Sequence, residues 1–177
     1  MVRYRTGSGE VFSGRPPVTE CQIAVIAISR ALRQDKEQSF RILVVDDYEP
    51  WRRFATSALK QQPGLLIVGE TADGLTAVEQ ARELHPDLIL LDIGLPTLNG
   101  IEAARRIRQH SSDSKILFCS QNRSPAIAEE AFGTGAAGYV VKSDAGSDLL
   151  SAVTAVRQGR RFVSRSLAGH DFVQTRE

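Results

Sequence analysis

The apolar run Leu88–Leu91 constrains the fold of this chain more than any other feature of its sequence. These four aliphatic residues stand between Asp87 and Asp92, and a loop rich in Gly, Pro and Asn, residues 93–100, follows them. A run of strand length that is apolar at every position is typical of a strand buried on both faces, as in a parallel sheet. Asp92 is therefore expected where that strand leaves the core.

Similar apolar runs recur from Arg41 onward and alternate with stretches of helical period. Each parallel strand needs a crossover that returns the chain to the same edge of the sheet, and a helix supplies it. The alternation predicts an α/β fold: a doubly wound, flavodoxin-like, five-stranded parallel sheet of order 2-1-3-4-5 with helices on both faces. The predicted strands are 42–45, 65–68, 88–91, 115–119 and 138–141, and the predicted helices start near Pro50, Asp73, Gly100, Ser124 and Ser147.

Length and composition fit one ordinary globular core. The chain has 177 residues, 42% of them hydrophobic, and a formal net charge of +1, which gives no sign of disorder or of a nucleic-acid surface. We see neither a signal peptide nor an apolar run long enough to span a membrane. With two cysteines, Cys21 and Cys119, a disulfide framework is not expected. A cytoplasmic protein without membrane contact is predicted.

The sequence divides into three parts. Residues 1–38 are an N-terminal extension, rich in Gly, Ser and Pro at its start, in which apolar residues between Thr19 and Gln34 are compatible with a short helix. Residues 39–160 are the regular α/β domain, and residues 161–177 are a C-terminal tail or a truncated linker. The helix could pack on the domain, mediate self-association or precede the natural start, and the sequence does not select among these.

Polar residues stand at the ends of the predicted strands. Asp46 and Asp47 end the first strand, Asp92 the third, Ser120 the fourth and Lys142 the fifth. The carboxyl ends of the strands in a doubly wound sheet share one edge, and ligands bind where the strand order reverses, between the first and third strands. These five side chains are therefore expected to converge on one site.

The chemistry of this predicted site points to phosphoryl transfer. Three carboxylates repel one another unless positive charge is supplied, and a hard cation such as Mg²⁺ supplies it. Such a metal also neutralises charge on a transferring phosphoryl group, while Lys142 can pair with the same oxygens and Ser120 can donate to them. Asp92 is the candidate nucleophile, because a carboxylate can form an acyl phosphate and no Ser/His/Asp or Cys/His set is evident in the sequence.

Together these residues resemble the receiver domain of two-component response regulators over about residues 40–160. The resemblance rests on Asp46-Asp47, the run from Asp92 to Gly100, Ser120, Tyr139 and Lys142. It implies phosphorelay signal transduction, in which Asp92 takes a phosphoryl group from a partner histidine kinase. The only chemistry it implies is self-phosphorylation and dephosphorylation, not enzymatic turnover of a separate substrate.

The same resemblance implies a metal site and a switch. The ligands that it implies for Mg²⁺ are Asp46, Asp47, Asp92 and the backbone carbonyl of Gly94. Ser120 and Tyr139 would form the switch: the hydroxyl moves toward the phosphoryl group, the aromatic ring turns inward, and the face around the fourth and fifth strands changes. A homodimer through that face is one partnership that the resemblance allows.

Residues 148–153 and 159–164 resemble the NarL/FixJ subfamily of these regulators, which usually continue into a helix-turn-helix DNA-binding domain. Because this chain stops at Glu177, we expect either a receiver-only piece of a longer transcriptional regulator or a stand-alone receiver that acts through protein contacts. DNA binding by these residues is not predicted.

Two residues depart from the family's pattern. Gln121 follows Ser120 where the family commonly has a small residue, which puts phosphoryl access and lifetime in question. Ser143 follows Lys142 where many receivers have proline.

Three other functions stay open at this point. A phosphatase of the haloacid dehalogenase type shares Mg²⁺ and an Asp nucleophile, but it needs a second Asp two positions later, where this chain has Gly94. A flavin- or nucleotide-binding domain would have a glycine-rich turn where this chain has two acids. A degenerate receiver would signal by binding alone.

Overall fold

The structure, a computed structural model, describes residues 3–5, 11–13, 39–170 and 172. The chain forms two units, residues 1–38 and residues 39–177. In the first unit, the short strands Arg3–Arg5 and Val11–Ser13 pair antiparallel. The helix predicted between Thr19 and Gln34 lies outside the described residues.

The second unit is built on a parallel sheet. Its strands are β1 (Phe40–Val45), β2 (Leu65–Thr71), β3 (Leu88–Leu91), β4 (Lys115–Ser120), β5 (Gly138–Val141) and β6 (Phe162–Val163). Neighbouring strands are all parallel, in the order β2-β1-β3-β4-β5-β6. The predicted order of the first five strands, with its reversal between β1 and β3, is confirmed.

Five α-helices alternate with these strands: α1 (Glu49–Lys60), α2 (Gly74–Leu84), α3 (Gly100–His110), α4 (Pro125–Gly133) and α5 (Ala145–Arg157). Side chains cap two of them, since Asp73 accepts from the N–H of Thr76 and Asn99 accepts from the N–H of Glu102, both at 3.0 Å. None of the helices in the described ranges has the length and apolarity that crossing a bilayer requires.

The apolar strand residues fill two cores, one on each face of the sheet. Successive residues of a strand point to opposite faces, so β1 and β3 contribute to both. The core shared with α2, α3 and α4 contains Leu43, Val45, Ile89 and Leu91. The core shared with α1 and α5 contains Ile42, Val44, Leu88 and Leu90. Because helices cover both faces, the strand runs are apolar without alternation, as predicted for Leu88–Leu91.

The sheet has one strand more than the five predicted. β6 pairs in parallel with β5, so Phe162 and Val163, which were expected in the C-terminal tail, extend the sheet. Gly138 permits this approach, because a Cβ at that position would lie 2.9 Å from the carbonyl oxygen of Phe162. A two-residue strand carries no readable alternation of apolar and polar residues, which is why the sequence pattern missed it.

Candidate functional site

Four strands deliver polar side chains to one edge of the sheet. Asp46 directly follows β1, Asp92 follows β3, Ser120 is the last residue of β4, and Lys142 follows β5. Asp46 and Asp92 are neighbours because the strand pairing continues to them: the N–H of Asp92 donates to the carbonyl of Val45 at 2.9 Å. The structure thus brings these predicted residues to the edge where the strand order reverses.

An ion-pair triad occupies the centre of this edge. The Nζ of Lys142 lies 2.6 Å from Oδ2 of Asp46 and 2.8 Å from Oδ2 of Asp92. The three side chains are 6%, 0% and 9% exposed respectively. Charge-assisted contacts this short are strong, and removing one partner would leave the others as uncompensated buried charges.

Burial and charge act in opposite directions on these groups. Burial raises the pKa of Asp46, the Lys142 ammonium opposes that rise, and the charge of Asp92 adds to it. For Lys142, burial lowers the pKa, but the two carboxylates outweigh it and leave the pKa above its usual value. Lys142 is therefore a fixed positive charge, and ionised Asp46 gains from further positive charge placed beside it.

Main-chain N–H groups fix the orientation of both buried acids. The N–H of Tyr48 donates to Oδ1 of Asp46 at 3.0 Å, and the N–H of Ile93 donates to Oδ1 of Asp92 at 2.7 Å. The other oxygen of each acid, Oδ2, faces Lys142. The carboxylates are thus held in place from both sides.

A third carboxylate completes an acidic cluster. Asp46, Asp47 and Asp92 each offer a carboxylate oxygen, and the three oxygens lie within 4.8 Å of one another. Asp47 is exposed while the other two are buried, so the cluster opens to solvent on the side of Asp47. Oxygen donors at this separation, with one open side, suit a hard divalent cation that keeps part of its water shell.

The loop after β3 brings two glycines close to Asp92. A Cβ at Gly100 would lie 1.9 Å from the carbonyl oxygen of Asp92, so only glycine lets α3 begin this close behind the acid. A Cβ at Gly94 would lie 3.9 Å from Oδ2 of Asp92, which places the main chain of Gly94 beside the acidic cluster.

The cluster opens into a cleft of about 500 Å³. Five of the predicted site residues line it: Asp47, Asp92, Gly94, Ser120 and Lys142. Gln121, which departs from the family's pattern, lines it too. A group that approaches Asp92 through this cleft therefore passes close to Gln121.

Asn122 joins the two residues predicted to form a switch. The hydroxyl of Tyr139 donates to the carbonyl of Asn122 at 2.9 Å, and the hydroxyl of Ser120 accepts from the N–H of Asn122 at 3.2 Å. The Tyr139 ring is fully buried, and this burial raises the pKa of its phenol. The ring is thus buried and hydrogen-bonded to the loop that follows Ser120.

Sequence reasoning missed one residue that contacts the triad. The Nζ of Lys142 lies over the ring of Trp51, 5.0 Å from its centroid. From the sequence, Trp51 is expected only to be part of the core, and its packing against the core shared with α1 and α5 agrees with this. Its contact with Lys142 was not expected, because neither helical period nor strand spacing reports which side chains meet between α1 and the end of β5. The signal that could have found it is the position of Trp51, in the first turn of the helix that follows the Asp46-Asp47 pair.

Comparison with known proteins gives one family match and many relatives. Residues 42–154 match the model of the response regulator receiver domain. The chain is 33% identical to the transcriptional regulatory protein DegU of Brevibacillus brevis over 130 residues, which cover 73% of this chain and 55% of DegU. It is 32% identical to the response regulator GacA of Pseudomonas viridiflava, over 72% of this chain and 60% of GacA. The matched part therefore spans little more than half the length of these relatives.

Solved structures agree with these matches. A two-component response regulator of the LuxR family from Aurantimonas sp. SI85-9A1 superposes with a TM-score of 0.71 at 38% identity, over 73% of this chain and 93% of that one. The signal receiver domain of the putative response regulator NarL from Mycobacterium tuberculosis gives a TM-score of 0.66 at 31% identity, over 70% of this chain and 99% of that domain. Both likenesses extend across the α/β unit.

Proposed function

The chain belongs to the response regulator receiver domain family, and we therefore propose that Asp92 is its phosphoacceptor in a phosphorelay. The observation that carries this proposal is the Lys142 ammonium, which contacts both Asp46 and Asp92 beside a solvent-open third acid. No other part of the described chain combines a cleft, three carboxylates and a buried cation. The donor would be a phosphohistidine on a partner histidine kinase.

In the proposed transfer, a carboxylate oxygen of Asp92 attacks the phosphorus of the phosphohistidine. The P–N bond breaks, its electron pair passes to the imidazole nitrogen, and an acyl phosphate forms on Asp92. The backbone contact of Ile93 holds the carboxylate during the attack. Lys142 starts 2.8 Å from Oδ2 of Asp92, so its ammonium pairs with an oxygen of the incoming phosphoryl group as charge develops there.

A magnesium ion fits the acidic cluster, and we assign Asp46, Asp47, Asp92 and the carbonyl of Gly94 as its ligands. When bound, Mg²⁺ would neutralise charge on the phosphoryl oxygens. The support is the set of three carboxylate oxygens within 4.8 Å and the solvent-open side at Asp47. The raised pKa of Asp46 also supports a bound cation, because burial disfavours the charged carboxylate and a nearby positive charge would stabilise it.

Ser120 and Tyr139 are proposed to convert the phosphorylation into a change of surface. The hydroxyl of Ser120 lines the same cleft as Asp92, so it can donate to a phosphoryl oxygen. Doing so would disturb the Asn122 main chain, which contacts both Ser120 and Tyr139. The face around β4 and β5 would then change and offer a surface for a partner, a second copy of this chain included.

The output is proposed to be regulation of transcription within a longer parent protein. Its support is that DegU is named a transcriptional regulatory protein and that the matched part spans only 55% of DegU. We assign residues 39–160 and the adjoining β6 to the phosphoacceptor unit, and residues 1–38 to an extension outside it. We propose no turnover of a separate substrate, since Gly94 stands where a phosphatase of the haloacid dehalogenase type needs its second Asp.

Mass spectrometry of the intact protein tests the proposed function. We expect one phosphoryl adduct after incubation with Mg²⁺ and acetyl phosphate, and none when Mg²⁺ is chelated. Asp92→Asn should abolish the adduct, while the matched control Asp113→Asn, an exposed acid outside the cleft, should leave it unchanged. A folded protein that takes up no phosphoryl group, or an adduct that persists in Asp92→Asn, would contradict the proposal.

A further inference from the structure

The Lys142 ammonium has a third partner besides its two carboxylates. The ring centroid of Trp51 lies 5.0 Å from Nζ, within the range of a cation–π interaction. Because the Lys142 side chain is only 6% exposed, water screens this contact little. The buried indole N–H of Trp51 has no hydrogen-bond partner among the described residues. The electrostatic contact that the structure shows for the Trp51 side chain is therefore the one between its ring and the Lys142 ammonium.

The three partners respond differently to a bound cation. Asp46 and Asp92 are also the proposed ligands of the metal, so their oxygens are shared once it binds. An indole ring offers no hard oxygen donor and does not coordinate Mg²⁺. Of these three partners of the ammonium, the ring of Trp51 is therefore the one that a metal ion does not coordinate.

We propose that Trp51 is a positioning residue for phosphoryl transfer, holding the Lys142 ammonium beside Asp92 while the carboxylates are engaged by the metal. This inference rests on the proposed function of Asp92. Without the ring, the ammonium samples more positions at the moment when it must meet a phosphoryl oxygen. Replacing Trp51 is therefore predicted to lower the rate of phosphoryl transfer, and to do so through its effect on Lys142.

The size of the effect follows from the usual strength of a cation–π contact. A partly buried contact of this kind corresponds to a change of about two- to thirtyfold in a rate. We expect Trp51→Leu to slow phosphoryl uptake on Asp92 about fivefold at saturating Mg²⁺. Trp51→Phe keeps an aromatic face and should recover most of the wild-type rate.

The test is a double-mutant cycle in the full chain. The initial rate of uptake from acetyl phosphate is measured for wild type, Trp51→Leu, Lys142→Met and the double variant, with Trp51→Phe as the conservative variant. Phe54→Leu is the control, because Phe54 lies on the same helix and is 43% exposed. We expect Trp51→Leu to slow uptake when Lys142 is present and to cause no further slowing in the Lys142→Met protein.

Urea unfolding of the same four proteins supplies a second cycle that does not depend on phosphorylation. The stability lost through Trp51→Leu should be smaller when Lys142 is already Met, since the contact is then absent. If Trp51→Leu does not fold, Trp51→Met replaces it in both cycles.

Two outcomes would overturn the inference: a wild-type rate for Trp51→Leu, or equal slowing with and without Lys142. Failure of the proposed function looks different, because the wild-type protein itself would then take up no phosphoryl group. The two failures are thus separated by the wild-type sample of the same experiment.

Discussion

Single side chains of the site are fixed before any ligand arrives. Asp46 and Asp92 are each held by a main-chain N–H on one oxygen and by Lys142 on the other. Groups held in this way lose little freedom on reaction, which is the advantage of a preorganised site. This arrangement is unfavourable for the charge of Asp46, because the side chain is fully buried and loses its contact with water.

Replacing Asp46 with Asn should change how stability responds to pH. Burial raises the pKa of Asp46 above its ordinary value of 3.8, so the folded protein binds this proton more tightly than the unfolded chain. Protonated Asp46 therefore adds to the free energy of unfolding. This stabilisation is fully present below about pH 4 and is lost as the pH rises through the raised pKa of Asp46.

Urea unfolding at several pH values, with Mg²⁺ chelated, measures this effect. The difference in unfolding free energy, Asp46→Asn minus wild type, should increase with pH above about 4. Asp113→Asn serves as the exposed control. If the difference in unfolding free energy between Asp46→Asn and wild type does not vary with pH, Asp46 has the same pKa in the folded and the unfolded protein.

At the scale of secondary structure, the segment after α5 is part of the fold. The N–H of Ser164 donates to the carbonyl of Tyr139, and its hydroxyl accepts from the N–H of Val141, both at 3.0 Å. Leu167 is 1% exposed and belongs to the core under α2, α3 and α4. This segment therefore covers the free edge of β5, the strand that carries Tyr139.

Truncating Leu167 tests the importance of this segment. Leu167→Ala should lower the free energy of unfolding by about 2–4 kcal/mol, because it empties a buried site. Leu150→Ala on α5 is the matched control, since Leu150 is 37% exposed, and should cost less than about 1 kcal/mol. Urea unfolding of both variants gives the comparison, and equal small losses would mean that the segment is not part of the cooperative unit.

The sequence predicted those elements whose signal is local. Leu88–Leu91 is apolar throughout and is a buried central strand, and Asp73 precedes a helix and caps it. β2 was predicted as 65–68 but extends to Thr71, because an edge strand includes polar and glycine positions that break an apolar run. The site acids were predictable because they stand at strand ends, whereas the contact of Trp51 with Lys142 depends on how α1 packs and has no local signal.

On the scale of the whole molecule, the site lies within one of the two units. Every residue assigned to phosphoryl transfer falls between Asp46 and Lys142, in the unit of residues 39–177. Deleting residues 1–38 should therefore leave both the fold and phosphoryl uptake intact. Circular dichroism and the adduct assay check this, with the full chain as the control, and a folded truncation that no longer takes up phosphate would contradict it.

Locating the acyl phosphate within the chain shows whether Asp92 is the phosphoacceptor. Borohydride reduces an aspartyl phosphate to homoserine, and peptide mass spectrometry finds the position of the change. We predict conversion at Asp92, dependent on Mg²⁺ and on the phosphoryl donor, and no conversion at Asp46 or Asp47. Conversion at another residue, with Asp92 unchanged, would show that Asp92 is not the phosphoacceptor.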